Sequence, residues 1–242
     1  MDTVITHIRR ELQSMADPIA QKTFQRFFKE PVNCYGVRVP AVTKIAQKHW
    51  KEIKFRDKQE IFGLCEELFK SGYCEEIFVV SNWIPRIKDR YELEDIAVFQ
   101  HWIDSYITNW ATCDGFCNHS IGNFIERYPT AIEDLMRWTQ SENRWMRRAA
   151  AVSLIVPAKH GKFLYEAMGI ADLLLTDNDD MVQKGYGWLL KEVSRQHQPD
   201  AFTYVMKNRS VMPRTALRYA IELMPKELKD KAMERGQPRK KK

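Results

Sequence analysis

Within the stretch 110–128 (Trp-Ala-Thr-Cys-Asp-Gly-Phe-Cys-Asn-His-Ser-Ile-Gly-Asn-Phe-Ile-Glu-Arg-Tyr), Asp114 stands four residues after Trp110. If one helix carries both, they sit one turn apart on the same side. A carboxylate beside an indole face suits a positive charge, because both attract cations. Cys113, Cys117, Ile121, Phe124 and Tyr128 form a separate apolar stripe suited to a core. Taken alone, the stretch reads more simply as a helix start, with Thr112 or Asp114 as the cap and Trp110 packing beside it.

Two further clusters carry charge in places where it is costly. Asn143-Arg-Trp-Met-Arg-Arg-Ala-Ala-Ala151 puts Arg144, Arg147 and Arg148 at a helix start. A basic first turn opposes the helix dipole by about 0.3–1 kcal/mol per charge. Guanidinium forks at that position match phosphate oxygens, and the free N–H groups of the helix end add to such a site. In Met181–Arg195, Val182, Tyr186, Leu189 and Val193 make a core stripe, while Lys184, Trp188, Lys191 and Arg195 make a basic one around an indole. Gly185 and Gly187 each cost about 1 kcal/mol against alanine in a helix interior. Close approach of another helix or of a nucleic-acid backbone would make that cost useful.

Cys113, Cys117 and His119 offer soft ligands, but a four-residue cysteine spacing on a helix is not a zinc-ribbon spacing, and no fourth ligand is evident. We expect no metal and no cofactor. The chain has no dinucleotide fingerprint, phosphate-binding loop, nucleophile elbow or zincin motif.

Helices must position these residues. Asp17-Pro18 opens one that should run through Phe24, Phe27 and Phe28, and Gly36–Pro40 turns into the next, with Val42, Ile45, Ala46 and His49 on one side. Asp57-Lys-Gln-Glu60 has the form of a capping box. Pro129 separates the Asp114 helix from a shorter one, and helices also fit 143–156, 162–175, 179–197, 199–207, 213–224 and 226–235. Strand signals are nearly absent. Helix pairs begin near 39, 73, 111, 143, 179 and 213, so the expectation is an all-α curved solenoid of HEAT-like antiparallel helix pairs. We read 1–236 as a single domain and 237–242 as a basic, disordered tail.

With 242 residues, 44% hydrophobic and 29% charged, the chain has an ordinary globular composition. No stretch has the length of a membrane span, and the N-terminus lacks signal-peptide character. Five cysteines without a framework spacing suggest a reducing, cytoplasmic setting. The net charge of +6 invites a polyanion, although Arg239-Lys-Lys-Lys242 supplies four of those charges.

Trp110-x3-Asp114, Trp145-Met-Arg-Arg148-Ala-Ala and Gly187-Trp188-Leu-Leu-Lys191 together resemble the AlkD family of DNA alkylation-repair glycosylases. The likeness runs from the aromatic early helix to the end of the Trp188 helix. It implies a HEAT-like solenoid, Asp114 as the catalytic carboxylate, Trp110 and Trp188 flanking the lesion's deoxyribose, and Arg148 on the nearby backbone. It also implies removal of cationic bases such as N3-methyladenine and N7-methylguanine from duplex DNA, and we expect a monomer. Phe27 stands where similar enzymes tend to carry tyrosine. Lys191, Arg38, Phe27, Arg147 and Lys184 complete the expected DNA contacts. The competing expectation is a non-catalytic scaffold that binds DNA or protein.

Overall fold

The structure is a computed structural model that describes residues 2–234; the basic tail at 237–242 lies outside the described residues. Among the described residues there is no β-strand, only one isolated parallel bridge between Asn33 and Tyr73. The fold is all-α. Within the span read as one domain, the chain forms two compact units, one through Tyr128 and one from Pro129.

The first unit holds α1 (Thr3–Ser14), α2 (Pro18–Gln25), α3 (Val39–Ile53), α4 (Lys58–Phe69), α5 (Cys74–Trp83), α6 (Asp95–Tyr106), α7 (Trp110–Phe116) and α8 (Gly122–Arg127). A 3-10 turn, Ile84–Arg90, follows α5, and a π turn, Cys117–Ile121, joins α7 to α8. Helix α1 precedes the first helix read from the sequence. Its signal was present: Asp2 caps it by accepting from the Val4 N–H at 2.9 Å, and Ile5, Ile8 and Leu12 are fully buried at helical spacing.

Helix α2 is shorter than its aromatic residues suggest. It ends at Gln25, with Phe27 and Phe28 in the turn beyond, and it contributes no buried residue. Elsewhere the expected core faces are buried. Val42, Ile45, Ala46 and His49 line the inner side of α3, where His49 Nε2 lies 2.9 Å from Glu11 Oε1. The Asp57 N–H donates to Glu60 Oε2 at 3.3 Å in the capping box of α4.

The second unit holds α9 (Ile132–Trp138), α10 (Arg144–Val152), α11 (Ile155–Lys159), α12 (Leu164–Leu173), α13 (Asp180–Val193), α14 (Gln198–Asn208), α15 (Arg214–Ala220) and α16 (Lys226–Met233). The helix expected over 143–156 breaks after Val152, and Pro157 falls inside α11, whose five residues are too few for a regular interior.

The pair starts near 39, 73, 111, 143, 179 and 213 correspond to Val39, Cys74, Trp110, Arg144, Asp180 and Arg214. These helices form one layer in each unit. In the first, α5 packs on α3 and α7; in the second, α13 packs on α10 and α15. The intervening helices form the other layer: α4 lies against α1, α5 and α6, and α12 lies against α9, α10 and α13. Such stacking buries a face that no single helix pair could bury alone. Trp110, Asp114, Arg148 and Trp188 all belong to helices of the first kind.

Candidate functional site

Helix α7 is capped by neither Thr112 nor Asp114. Asn109 is the cap, and its side-chain oxygen accepts the Thr112 N–H at 3.0 Å. The cap reading of Asp114 is thereby overturned. Asp114 stands in the body of α7, partly exposed, one turn after Trp110. The Trp110 indole N–H donates to the Phe27 carbonyl at 3.3 Å, and its ring stacks on Phe28 with centroids 5.2 Å apart and planes 19° from parallel. The structure therefore brings Trp110, Asp114 and the Phe27 backbone together. Cys113, Cys117, Ile121 and Phe124 are fully buried on the neighbouring stripe, which continues through the π turn Cys117–Ile121.

Two cavities of the first unit adjoin through Val39 and Phe78, and the second reaches Gly115, the chain neighbour of Asp114. One, of about 320 Å³, is lined by Phe24, Phe27, Val37 and Arg38. The other, of about 530 Å³, is lined by Ser81, Asn82, Arg86, Gly115, His119 and Asn123. Phe27 is 67% exposed, and Arg38 is exposed at the start of α3. The two carboxylates in this lining are committed elsewhere. Asp17 caps α2, accepting from Ile19 and Ala20 at 2.8 and 3.2 Å. Buried Glu75 accepts from the Tyr35, Gly36 and Val37 N–H groups at 3.0, 2.9 and 3.0 Å. Arg38 and Arg86 have no carboxylate partner among the described residues, so both are available to an anion.

Glu75 also fixes the turn that presents Arg38. Gly36 there has φ +84°, and a Cβ would stand 2.3 Å from the Asp17 carbonyl oxygen, so only glycine fits. Next to it, buried Glu76 accepts from Arg9 Nε at 3.0 Å and from the Tyr35 hydroxyl at 2.8 Å. Burial, and then Glu76, push the Tyr35 pKa up. Sequence reasoning missed Glu75, Glu76 and Arg86, and it weighed His119 only as a metal ligand. Paired glutamates at the start of a helix look like ordinary dipole partners until the fold brings in a turn some 40 residues away.

The soft-ligand set comes apart: Cys113 and Cys117 are fully buried, whereas His119 is exposed. No three His, Cys, Asp or Glu side chains among the described residues are placed to share a metal ion. All five cysteines are buried free thiols, and burial raises the pKa of Cys34 and Cys65 and takes that of Cys74 to about 12. Those three thiols stay protonated and unreactive.

In the second unit, Asn143 caps α10 by accepting the Trp145 N–H at 2.9 Å. The first-turn arginines are held by side chains rather than solvated. Arg144 lies over the Trp145 ring at 4.6 Å and pairs with Asp179 at 3.4 Å. Arg147 pairs with Asp177 at 2.7 Å and donates to the Ser141 and Glu142 carbonyls at 2.8 and 3.0 Å. Arg148 is 5% exposed and donates to the Met181 carbonyl. A Cβ on Gly185 would lie 3.3 Å from Arg148 Cγ. Gly185 thus makes room for Arg148 on α13, and Gly187 makes room for α15, where a Cβ would meet the Ala216 carbonyl and Tyr219 Cβ at 2.8 Å.

Trp188 is partly exposed, with its indole N–H on Glu192 Oε1 at 3.2 Å. Lys184 pairs with Asp180 and Lys191 with Glu222, each at 3.2 Å. The unit therefore offers a clamped arginine and a held indole on adjoining helices, α10 and α13. No helix among the described residues is long and apolar enough to cross a membrane.

No curated protein sequence matches the chain. A solved structure described as a predicted DNA alkylation repair enzyme from Enterococcus faecalis shares the fold, with a TM-score of 0.78 at 17% identity, over 88% of this chain and 98% of that one. The family model described as DNA alkylation repair enzyme matches residues 8–224, the span that includes both tryptophans, Asp114 and the clamped Arg148. On that match the chain belongs to the DNA alkylation repair enzyme family.

Proposed function

We propose that the protein is a monofunctional DNA glycosylase that excises cationic alkylated purines, such as N7-methylguanine and N3-methyladenine, from duplex DNA. The observation that carries this reading is Asp114, a carboxylate in the body of a helix one turn from Trp110, with the capping duty taken by Asn109. An alkylated purine already bears positive charge, so it leaves with the electrons of the glycosidic bond and needs no general acid. This removes one of the two carboxylates of ordinary glycoside hydrolysis. The sugar is left as an oxocarbenium-like cation. Asp114 stabilises that cation and orients the attacking water, whose oxygen bonds to C1′ and whose proton passes to solvent. Trp110 offers its π face to the same charge, and Trp188 offers one to the nucleic acid.

Arg38, Arg86 and His119 along the groove, and Arg148, Lys191, Lys184 and Arg147 in the second unit, serve the phosphates. Phe27 presents an exposed ring without a hydroxyl, so its contact is apolar. The chemistry needs neither metal nor cofactor, and without a lysine nucleophile it yields an abasic site without strand cleavage.

The direct test is incubation with methylated duplex DNA, followed by chromatography of the released bases and a strand-scission assay with and without alkali. Free N7-methylguanine, with breaks only after alkali, is the expected result. Tight duplex binding without base release would instead leave a DNA-binding scaffold.

A further inference from the structure

We propose that Glu192 is a positioning residue for Trp188, setting the plane of the indole that faces the nucleic acid; this rests on the glycosylase reading above. Glu192 is only 5% exposed, an expensive place for a carboxylate unless its oxygens are used. Both are used. Oε1 accepts the Trp188 indole N–H at 3.2 Å and Oε2 accepts Arg195 Nε at 2.5 Å. Trp188 and Glu192 stand one turn apart on α13, and Arg195 reaches back from the turn just beyond the helix.

An indole has a single donor. With that donor committed to Glu192, Trp188 has no N–H left for a phosphate or a base, and it acts through its ring face. The ring is also denied free rotation about its side-chain bonds, because turning it would leave a buried carboxylate oxygen short of a donor. Trp110 follows the same rule in the other unit, with its N–H on the Phe27 carbonyl and its ring on Phe28. Two tryptophans of different units, held by unrelated acceptors, are each restricted to π contact. A ring intended only to fill space would not need its plane set, whereas a ring meeting a developing cation does.

The test uses the full chain. In ¹H–¹⁵N spectra, the Trp188 indole signal is assigned by its disappearance in Trp188→Phe. Its proton should exchange with solvent more slowly than that of an exposed indole. Glu192→Leu should move the signal and speed exchange, while Glu192→Gln, whose amide oxygen still accepts, should stay close to wild type.

Single-turnover release of N7-methylguanine should fall about tenfold or more in Glu192→Leu and by less than about threefold in Glu192→Gln, with duplex Kd changing little in either. An unmoved indole signal in Glu192→Leu overturns the proposal, as does a displaced signal with wild-type release. If Glu192→Leu does not fold, rapid indole exchange in the wild type overturns it, and slow exchange retained in Glu192→Gln supports it. A wild-type protein that releases no base sinks the glycosylase reading. The proposal is then decided by whether duplex DNA shifts the Trp188 signal in wild type and not in Glu192→Leu; equal shifts in both overturn it.

Discussion

At the scale of single residues, Asp114 separates repair from mere binding. Replacing it with asparagine keeps its shape and removes its charge. If the carboxylate stabilises a developing sugar cation, excision should fall by about 10²–10³, the usual scale for losing one preorganised electrostatic group. Because Asn109 carries the cap, the variant should keep its far-UV circular dichroism, and duplex affinity should hold or rise as an anion leaves the path of a polyanion. Wild-type single-turnover rates in a folded, DNA-binding Asp114→Asn protein would remove Asp114 from the chemistry. The pairing of Trp110 with Asp114 was legible from a four-residue spacing. The choice of cap was not, since Asn109, Thr112 and Asp114 are all good capping residues within six positions. Glu192 was hidden for a related reason: its spacing from Trp188 is plain, but only packing shows that it is buried.

At the scale of helices, the glycines sort by what a methyl group would meet. On Gly187 it would press into the α15 backbone, so Gly187→Ala should destabilise by about 2 kcal/mol or more despite a better helix propensity. Gly63, exposed within α4, has nothing within 4 Å of the added carbon, and Gly63→Ala should stabilise by about 0.5–1 kcal/mol. Urea unfolding midpoints of the two variants should move in opposite directions; a shared direction would contradict the close packing of α13 on α15.

Helix α1 adds a pH signature. Asp2 pairs with Arg56 at 2.7 Å while capping the helix, and the Arg56 bond, then the Val4 N–H, lower its pKa from 3.8. A carboxylate with a lowered folded pKa contributes stability that is fully present above its unfolded value and lost as pH falls through the folded one. Asp2→Asn should therefore cost about 0.5–1 kcal/mol near neutrality, and the difference from wild type should close as the pH drops below about 4. Denaturant titrations at several pH values would show this; a gap that persists at low pH would assign the loss to the cap instead.

At the scale of the whole molecule, the helix-pair period was legible because each pair start carries its own signal, a proline, an Asx cap or a change in apolar phase, and the folded starts agree within a residue or so. What the period could not show is which cations stay available, since that depends on partners brought in from other helices. Lys184 and Lys191 each have a carboxylate at 3.2 Å, and Arg147 has one at 2.7 Å. Arg38 and Arg86 have none among the described residues, and they share one groove with Gly115, the neighbour of Asp114. A free cation that meets a phosphate releases a counterion in full. A paired one must first leave its carboxylate, which then repels the same phosphate. Arg38→Ala and Arg86→Ala should therefore each flatten the slope of log affinity against log salt by about one unit. Lys184→Ala should flatten it less, because it exposes Asp180 as it removes a cation. Duplex binding from low to physiological salt, measured for the three variants in parallel, would check the order. A steeper loss in Lys184→Ala than in either arginine variant would move the nucleic-acid contact off the groove.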